Sequence, residues 1–271
     1  MLEAVDVILF LITGFIAGTF GGLLGLGGAT ILVPALTLGF GLPIHMAIAI
    51  SLVSNVFVAL VSAIGYGRKG LIHRKAVLIM NAGSIAGIAI GTIIATRSPA
   101  DLIKLLFGLF LVFMIVEAML RLIARTLARK PREERERMQE PEHINKLQFS
   151  ALGFVMGVLG ALIGIGGGTV AVPVQNVLFK IPLKNAIANS LATIVVSASV
   201  GAVLYFILGA GHLFSGYDAL VTAAVIVPGA VIGARSATAM ADRVPVSYIK
   251  LIFYAMLLYV AYNMIKSGMG W

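Results

Sequence analysis

Two short glycine clusters hold the residues best suited to chemistry: Gly25-Leu26-Gly27-Gly28-Ala29-Thr30 and Gly164-Ile165-Gly166-Gly167-Gly168-Thr169. Glycine reaches backbone angles that other residues avoid and lets a ligand come close to the main chain. Each cluster precedes an apolar run that starts at a threonine, a good N-cap residue. A helix N-terminus offers unpaired N–H groups and a partial positive charge. Gly27, Gly28 and Thr30, with Gly166, Gly167, Gly168 and Thr169, are therefore expected to bind an anion through backbone donors. Pro34 and Pro173 each follow their threonine by four residues. Having no N–H, each leaves the threonine carbonyl without its helical partner. Those freed carbonyls keep a cation site open as the alternative. Ser51, Ser54 and Asn55 in one later run, and Asn189, Ser190 and Thr193 in another, are spaced to share one helical face. Either they bond helix to helix, or they complete a polar pocket with the glycine tips. Gln175 and Asn176 are further candidates.

Other chemistry has little to stand on. The chain has no cysteine, which removes disulfides, thiolate metal sites and thiol nucleophiles. Its histidines, His45, His73, His143 and His212, fall in or beside loops, and no nucleophile–base spacing or metal-ligand cluster is recognisable. The phosphate-cradling GxxxxGK[ST] pattern is missing as well. No enzyme activity, cofactor or metal is expected. Of the acidic residues, only Glu117 lies well inside an apolar run. It is expected to snorkel or to pair with Arg121, with an ion or proton relay as the alternative.

The elements that must position these residues are membrane helices. The sequence is 60% hydrophobic and only 11% charged, with a mean hydropathy of +1.05; soluble domains carry about 25% charged residues. Apolar runs cover 5–39, 44–65, 76–96, 102–124, 148–179, 186–208, 219–241 and 246–265. Most approach the roughly 20 residues that a spanning helix needs. Hydrocarbon leaves no backbone group unpaired, so the runs read as helices. The first run is not expected to be a cleaved signal, because it opens with Glu3 and Asp6 and is too long. The net charge of +9 does not call for nucleic acid, because most of the Lys and Arg flank apolar runs.

The chain is duplicated. Residues 14–54 align with 153–193 at a constant offset of 139, with 18 identities in 41 positions. GFIAGTFGGLLGLGGATILVP pairs with GFVMGVLGALIGIGGGTVAVP, and Tyr66 still matches Tyr205. The expected organisation is a first repeat at 1–120, a charged cytoplasmic linker at 121–146 and a second repeat at 147–271. The loop after Tyr66 holds Arg68, Lys69, Arg74 and Lys75, whereas its equivalent at 208–217 has no Lys or Arg. Conversely, 39–44 is uncharged while 180–184 holds Lys180 and Lys184. Loop 97–104, with Arg97, Asp101 and Lys104, is ambiguous. The asymmetry predicts halves inserted upside-down relative to each other, a transporter signature. The runs 5–39 and 148–179 are read as hairpins that leave and return on the same side, which puts both termini outside. A single long tilted helix is the alternative. Gly83, Gly87 and Gly91, spaced by four, are read as a helix-packing face.

At the segments GLGGATILVP and GIGGGTVAVP, followed by PIHMAIAISL and PLKNAIANSL, the chain resembles the TauE/SafE family of sulfite exporters. The resemblance covers nearly the whole chain. It implies movement of sulfite, thiosulfate, sulfoacetate or a related organosulfonate across the cell membrane. Ala29 stands where the second repeat has Gly168, so the two tips need not contribute equally. The expectation is an all-α integral membrane protein of two inverted-topology repeats, each a Gly-tipped hairpin followed by three membrane helices. Its partners would be a small anion and the lipid bilayer. A cation channel or carrier, or a non-transporting membrane scaffold, is the rival reading.

Overall fold

The computed structural model describes residues 4–127, 145–165, 167–240 and 246–270. Most of linker 121–146, and Gly166 of the second tip, lie outside the described residues. The described chain is helical: α1 (Ala4–Leu24), α2 (Ala29–Pro34), α3 (Ile44–Arg68), α4 (Arg74–Arg97), α5 (Ala100–Leu127), α6 (Lys146–Ile163), α7 (Gly168–Val177), α8 (Leu183–Gly209), α9 (Gly216–Met240) and α10 (Val246–Gly268). Among the described residues, seven of these are long and apolar enough to cross a membrane. The chain is an all-helical integral membrane protein, and each half is a hairpin followed by three long helices.

Each hairpin has unequal arms. The 21 residues of α1 rise about 31 Å, enough to cross the hydrocarbon core. The return arm is α2 plus a π-helical turn at Ala35–Gly39. Pro34 withholds one donor from the ladder; Ala35 N–H still reaches the Ile31 carbonyl, and the spacing then widens, with Phe40 N–H bonding the Ala35 carbonyl. In the second half, α7 continues through Pro173 to Val177. The mouths of both hairpins are closed alike. Phe10 stacks on Phe40 with centroids 4.4 Å apart, and Phe149 stacks on Phe179 at 4.6 Å. These pairs are equivalent at the offset of 139.

The halves interlock rather than abut. Helix α1 packs along α9, and α4 along α6, through faces of small residues. A Cβ on Gly83, Gly87 or Gly91 would strike the α6 carbonyls of Ser150, Phe154 and Val158 in turn. Gly229 and Gly233 meet Leu11 and Phe15 of α1 in the same way. Both contacts advance together along the two chains, so the paired helices are parallel. The glycine face expected at 83–91 is thus a packing seam, and it has a counterpart on α9.

Helices α3 and α8, equivalent in the two repeats, cross the middle of the molecule in opposite directions. His45, in the first turn of α3, shares a 2.9 Å hydrogen bond with Tyr205 near the end of α8. At the other end, Asn185 and Asn189 of α8 bond to the Leu71 carbonyl and the His73 N–H, just beyond α3. Bonds from Lys69 to the Thr238 carbonyl and from Asn185 to Leu71 gather Arg68, Lys69, Arg74, Lys75, Lys180, Lys184 and Arg235 at one end of the bundle. The start of α6 lies there too, since Gly153 packs on Met80 of α4. The opposite end holds Arg97 and a Lys104–Asp101 ion pair at 3.2 Å. That pair cancels one charge, which accounts for the ambiguous reading of loop 97–104.

Candidate functional site

The tips are built by glycine in the left-handed region. Gly28 (φ +94°) and Gly167 (φ +74°) are the N-cap residues of α2 and α7, and neither cap is made by a side chain. This corrects the sequence expectation. Thr30 and Thr169 are the second residues of their helices and do not cap them. The glycine turn bends so tightly that the helix begins before the threonine is reached. A Cβ on Gly28 would lie 2.7 Å from the Ala17 carbonyl oxygen, and one on Gly167 would strike the Met156 carbonyl. Each turn is therefore folded back against the long arm of its own hairpin.

The two tips meet each other and the crossing helices. Gly25 packs against Val172 of α7 and Ile187 of α8, and Gly168 lies against the Gly25 carbonyl. Gly164 receives two hydrogen bonds on its carbonyl, from Ser51 Oγ and from Asn55 Nδ2, each 3.0 Å. The other end of the Asn55 amide faces the first tip: a Cβ on Gly27 would sit 3.1 Å from Asn55 Oδ1. Asn55 lies in the middle of α3, so the tips are held at mid-depth in the bundle and touch both halves.

Two polar atoms here are buried without a hydrogen-bond partner, Asn55 Oδ1 and Thr169 Oγ1. Asn55 is fully buried and Thr169 is 6% exposed. An unsatisfied buried group costs about 1–3 kcal/mol, so such atoms call for an explanation. Ahead of them stand the opening N–H groups of each helix. The first donors into the helical ladders are Ile31, to the Gly28 carbonyl, and Val170, to that of Gly167. The N–H groups of Thr30 and Thr169 precede those bonds. Among the residues whose side chains are described, no Lys, Arg, Asp or Glu is buried.

The second half has its own polar set. Gln175 on α7 donates to Ser190 Oγ and accepts from Asn189 Nδ2, both at 3.1 Å. Asn189 Oδ1 in turn accepts the His73 N–H at 2.8 Å, and Thr193 Oγ1 donates to the Asn189 carbonyl at 2.9 Å. Asn176 instead closes the turn after α7, bonding the Ile181 carbonyl. Ser54 is buried on α3. The structure thus brings together Gly27, Ser51, Asn55 and Gly164 at the crossing, while Gly168, which Thr169 follows, meets the first tip at Gly25. Asn189, Ser190, Thr193 and Gln175 form a network running from α7 toward the basic end. Sequence reasoning missed Gln175 as a hub, because its partners lie 14 and 15 residues away on another helix. With Phe113, Glu117 lines an apolar cleft against Val170, Pro173, Val174 and Val177 of α7. The side chain of its expected partner, Arg121, lies outside the described residues.

Comparison with known proteins fits this architecture. The family model for the sulfite exporter TauE/SafE matches residues 10–264. The chain is 30% identical to the probable membrane transporter protein YunE of Bacillus subtilis, over 96% of this chain and 98% of that one. It is 29% identical to the probable membrane transporter protein MJ0441 of Methanocaldococcus jannaschii, over 73% and 71% of the two chains. The probable membrane transporter protein MamO of Paramagnetospirillum magneticum is 24% identical over 97% of this chain, which spans 45% of that longer relative. No solved structure matches. With a family match over nearly all of the chain and helices suited to crossing a bilayer many times, this is a multi-pass membrane transporter, not an enzyme, and it belongs to the TauE/SafE sulfite exporter family.

Proposed function

We propose that the chain exports a small sulfur-containing anion, such as sulfite, thiosulfate or an organosulfonate, bound where the two glycine tips meet. The observation that carries this reading is the crossing itself. The two glycine tips meet at mid-depth, Asn55 touches both of them, and two buried polar atoms, Asn55 Oδ1 and Thr169 Oγ1, are left without partners. Irregular backbone at that depth is tolerated where it is enclosed by protein or lines a cavity. The residues proposed to hold the anion are Gly27, Gly28, Thr30, Ser51 and Asn55, with Gly166, Gly167, Gly168, Thr169, Asn189, Ser190 and Thr193.

The repeats are read as inverted in the inner membrane, with the linker in the cytoplasm and both termini outside. The antiparallel course of α3 and α8 supports this, as does the gathering of seven basic residues at the end where α6 begins. A potential negative inside drives an anion outward with about 2.3 kcal/mol per charge per 100 mV, so efflux needs no buried acid to couple it. Proteoliposomes loaded with sulfite or thiosulfate should release it faster under an outside-positive potential, with little response to a pH gradient. Release that requires the pH gradient would refute uncoupled efflux and direct attention to Glu117.

A further inference from the structure

We propose that the His45–Tyr205 pair is a latch that must part before the anion can leave the crossing, which makes both side chains positioning residues for transport. This rests on the reading of the crossing as the anion site and adds the place where the way out is shut. The helices group across the repeats, not within them. Among the described residues, α1, α2 and α3 pack with α9, while α6, α7 and α8 pack with α4. Each repeat thus lends the second helix after its hairpin to the other. Apart from the meeting of the tips, the main contact between these two bodies is α3 along α8. Carriers built of paired repeats work largely by rocking one such body against the other around a central site. The crossing lies on that boundary, since Gly25 of the first tip packs on Val172 of α7 and Ile187 of α8.

A latch must join the two bodies at one end of the boundary and yet be breakable. His45 stands in the first turn of α3 and Tyr205 near the end of α8; both are buried, and their bond is 2.9 Å. The Ser98 backbone, just beyond α4, approaches the same imidazole, so His45 meets the second body twice. Phe214, on the turn after α8, covers the pair. Its ring stacks on Tyr205 with centroids 6.3 Å apart, and a Cβ on Gly209 would lie 2.8 Å from it. A neutral hydrogen bond of this kind shifts a two-state equilibrium by about fivefold, enough to bias closure and too little to prevent opening.

The other end of the boundary differs. At the offset of 139, Tyr66 is the equivalent of Tyr205, and Lys184 that of His45. Tyr66 donates to the Gly22 carbonyl of α1 at 3.2 Å, inside its own body. A segment that bridges the bodies in one repeat and turns inward in the other has two arrangements open to it.

Tying the latch shut tests this most directly. In this cysteine-free chain, His45→Cys and Tyr205→Cys are combined, and the full chain is reconstituted in proteoliposomes loaded with methanesulfonate. Bridging the two thiols with a short bifunctional methanethiosulfonate should cut release to the rate of protein-free vesicles, and dithiothreitol should restore it. Each single variant, treated alike, should keep releasing. A contact that merely holds the fold together stays closed throughout the cycle and would tolerate the bridge. Release by the bridged chain at the unbridged rate therefore overturns the proposal, as does failure of the reagent to bridge the pair. Access gives a second measurement that needs no transport. Ala202 is buried one turn inward of Tyr205 on α8. In purified full chain, Ala202→Cys should react with a charged thiol reagent about fivefold faster when Tyr205→Phe or His45→Leu is added, the loss of one hydrogen bond's bias toward closure. Equal rates in both combinations would overturn the latch and leave anion export standing. If the parent releases no methanesulfonate, the export reading falls for this anion class, and the labelling rates alone decide the latch.

Discussion

Thr169 shows how stability and function can pull apart at one residue. Its hydroxyl is buried and unpartnered, so it costs the folded chain about 1–3 kcal/mol that a methyl would not. Thr169→Val keeps the side-chain shape and should therefore melt higher than the parent, by about 1 kcal/mol in unfolding free energy, while slowing anion release. A variant that melts lower and transports normally would mean that the hydroxyl bonds inside the protein. The glycines beside it do not offer as clean a test. Gly28 and Gly167 have left-handed backbones pressed against the carbonyls of Ala17 and Met156, so a valine at either position would disturb the hairpin before any ligand was involved. Ser51→Ala is gentler. It removes one of two donors to the Gly164 carbonyl, with an expected loss of about 0.5–1.5 kcal/mol and melting to check it.

At the scale of helices, the seams on α4 and α9 should fail alike. Gly87→Ala drives a methyl into the Phe154 carbonyl, and Gly229→Ala drives one into that of Leu11. Overpacking of this kind costs about 1–3 kcal/mol, so each variant should lose melting temperature and transport in step. Transport lost at an unchanged melting temperature would contradict a packing role. Much at this scale was legible beforehand. The hairpins, the three helices after each, and the Gly83–Gly91 seam all follow from run length and glycine spacing, which are local properties. The threonine caps were misread because a glycine in the left-handed region can itself begin a helix, and composition does not reveal backbone angles. Gln175 could not be foreseen as a hub, since its role depends on the register of α7 against α8. The Phe10–Phe40 and Phe149–Phe179 stacks were visible in principle at the offset of 139, but Phe10 and Phe149 fall just before the aligned segment. The meeting of the tips belongs to tertiary structure, and no spacing within one repeat encodes it.

For the molecule as a whole, the distribution of charge makes the orientation testable. Single cysteines at Lys75 and His212, both exposed, should react with a membrane-impermeant thiol reagent from opposite sides in this cysteine-free chain. Reaction from one side alone would refute the proposed inversion. The interlocking of α1 with α9 and of α4 with α6 also bears on how the protein comes to be made. The ribosome releases the first 120 residues well before α6 and α9 exist, so the seams on α1 and α4 must wait in lipid without their mates. During that interval the glycine faces of α1 and α4 lack the helices they pack against in the finished chain. A lesion on α9 would then be felt as instability of α1, and abundance in the cell would depend on the last helices to be synthesised as much as on the first.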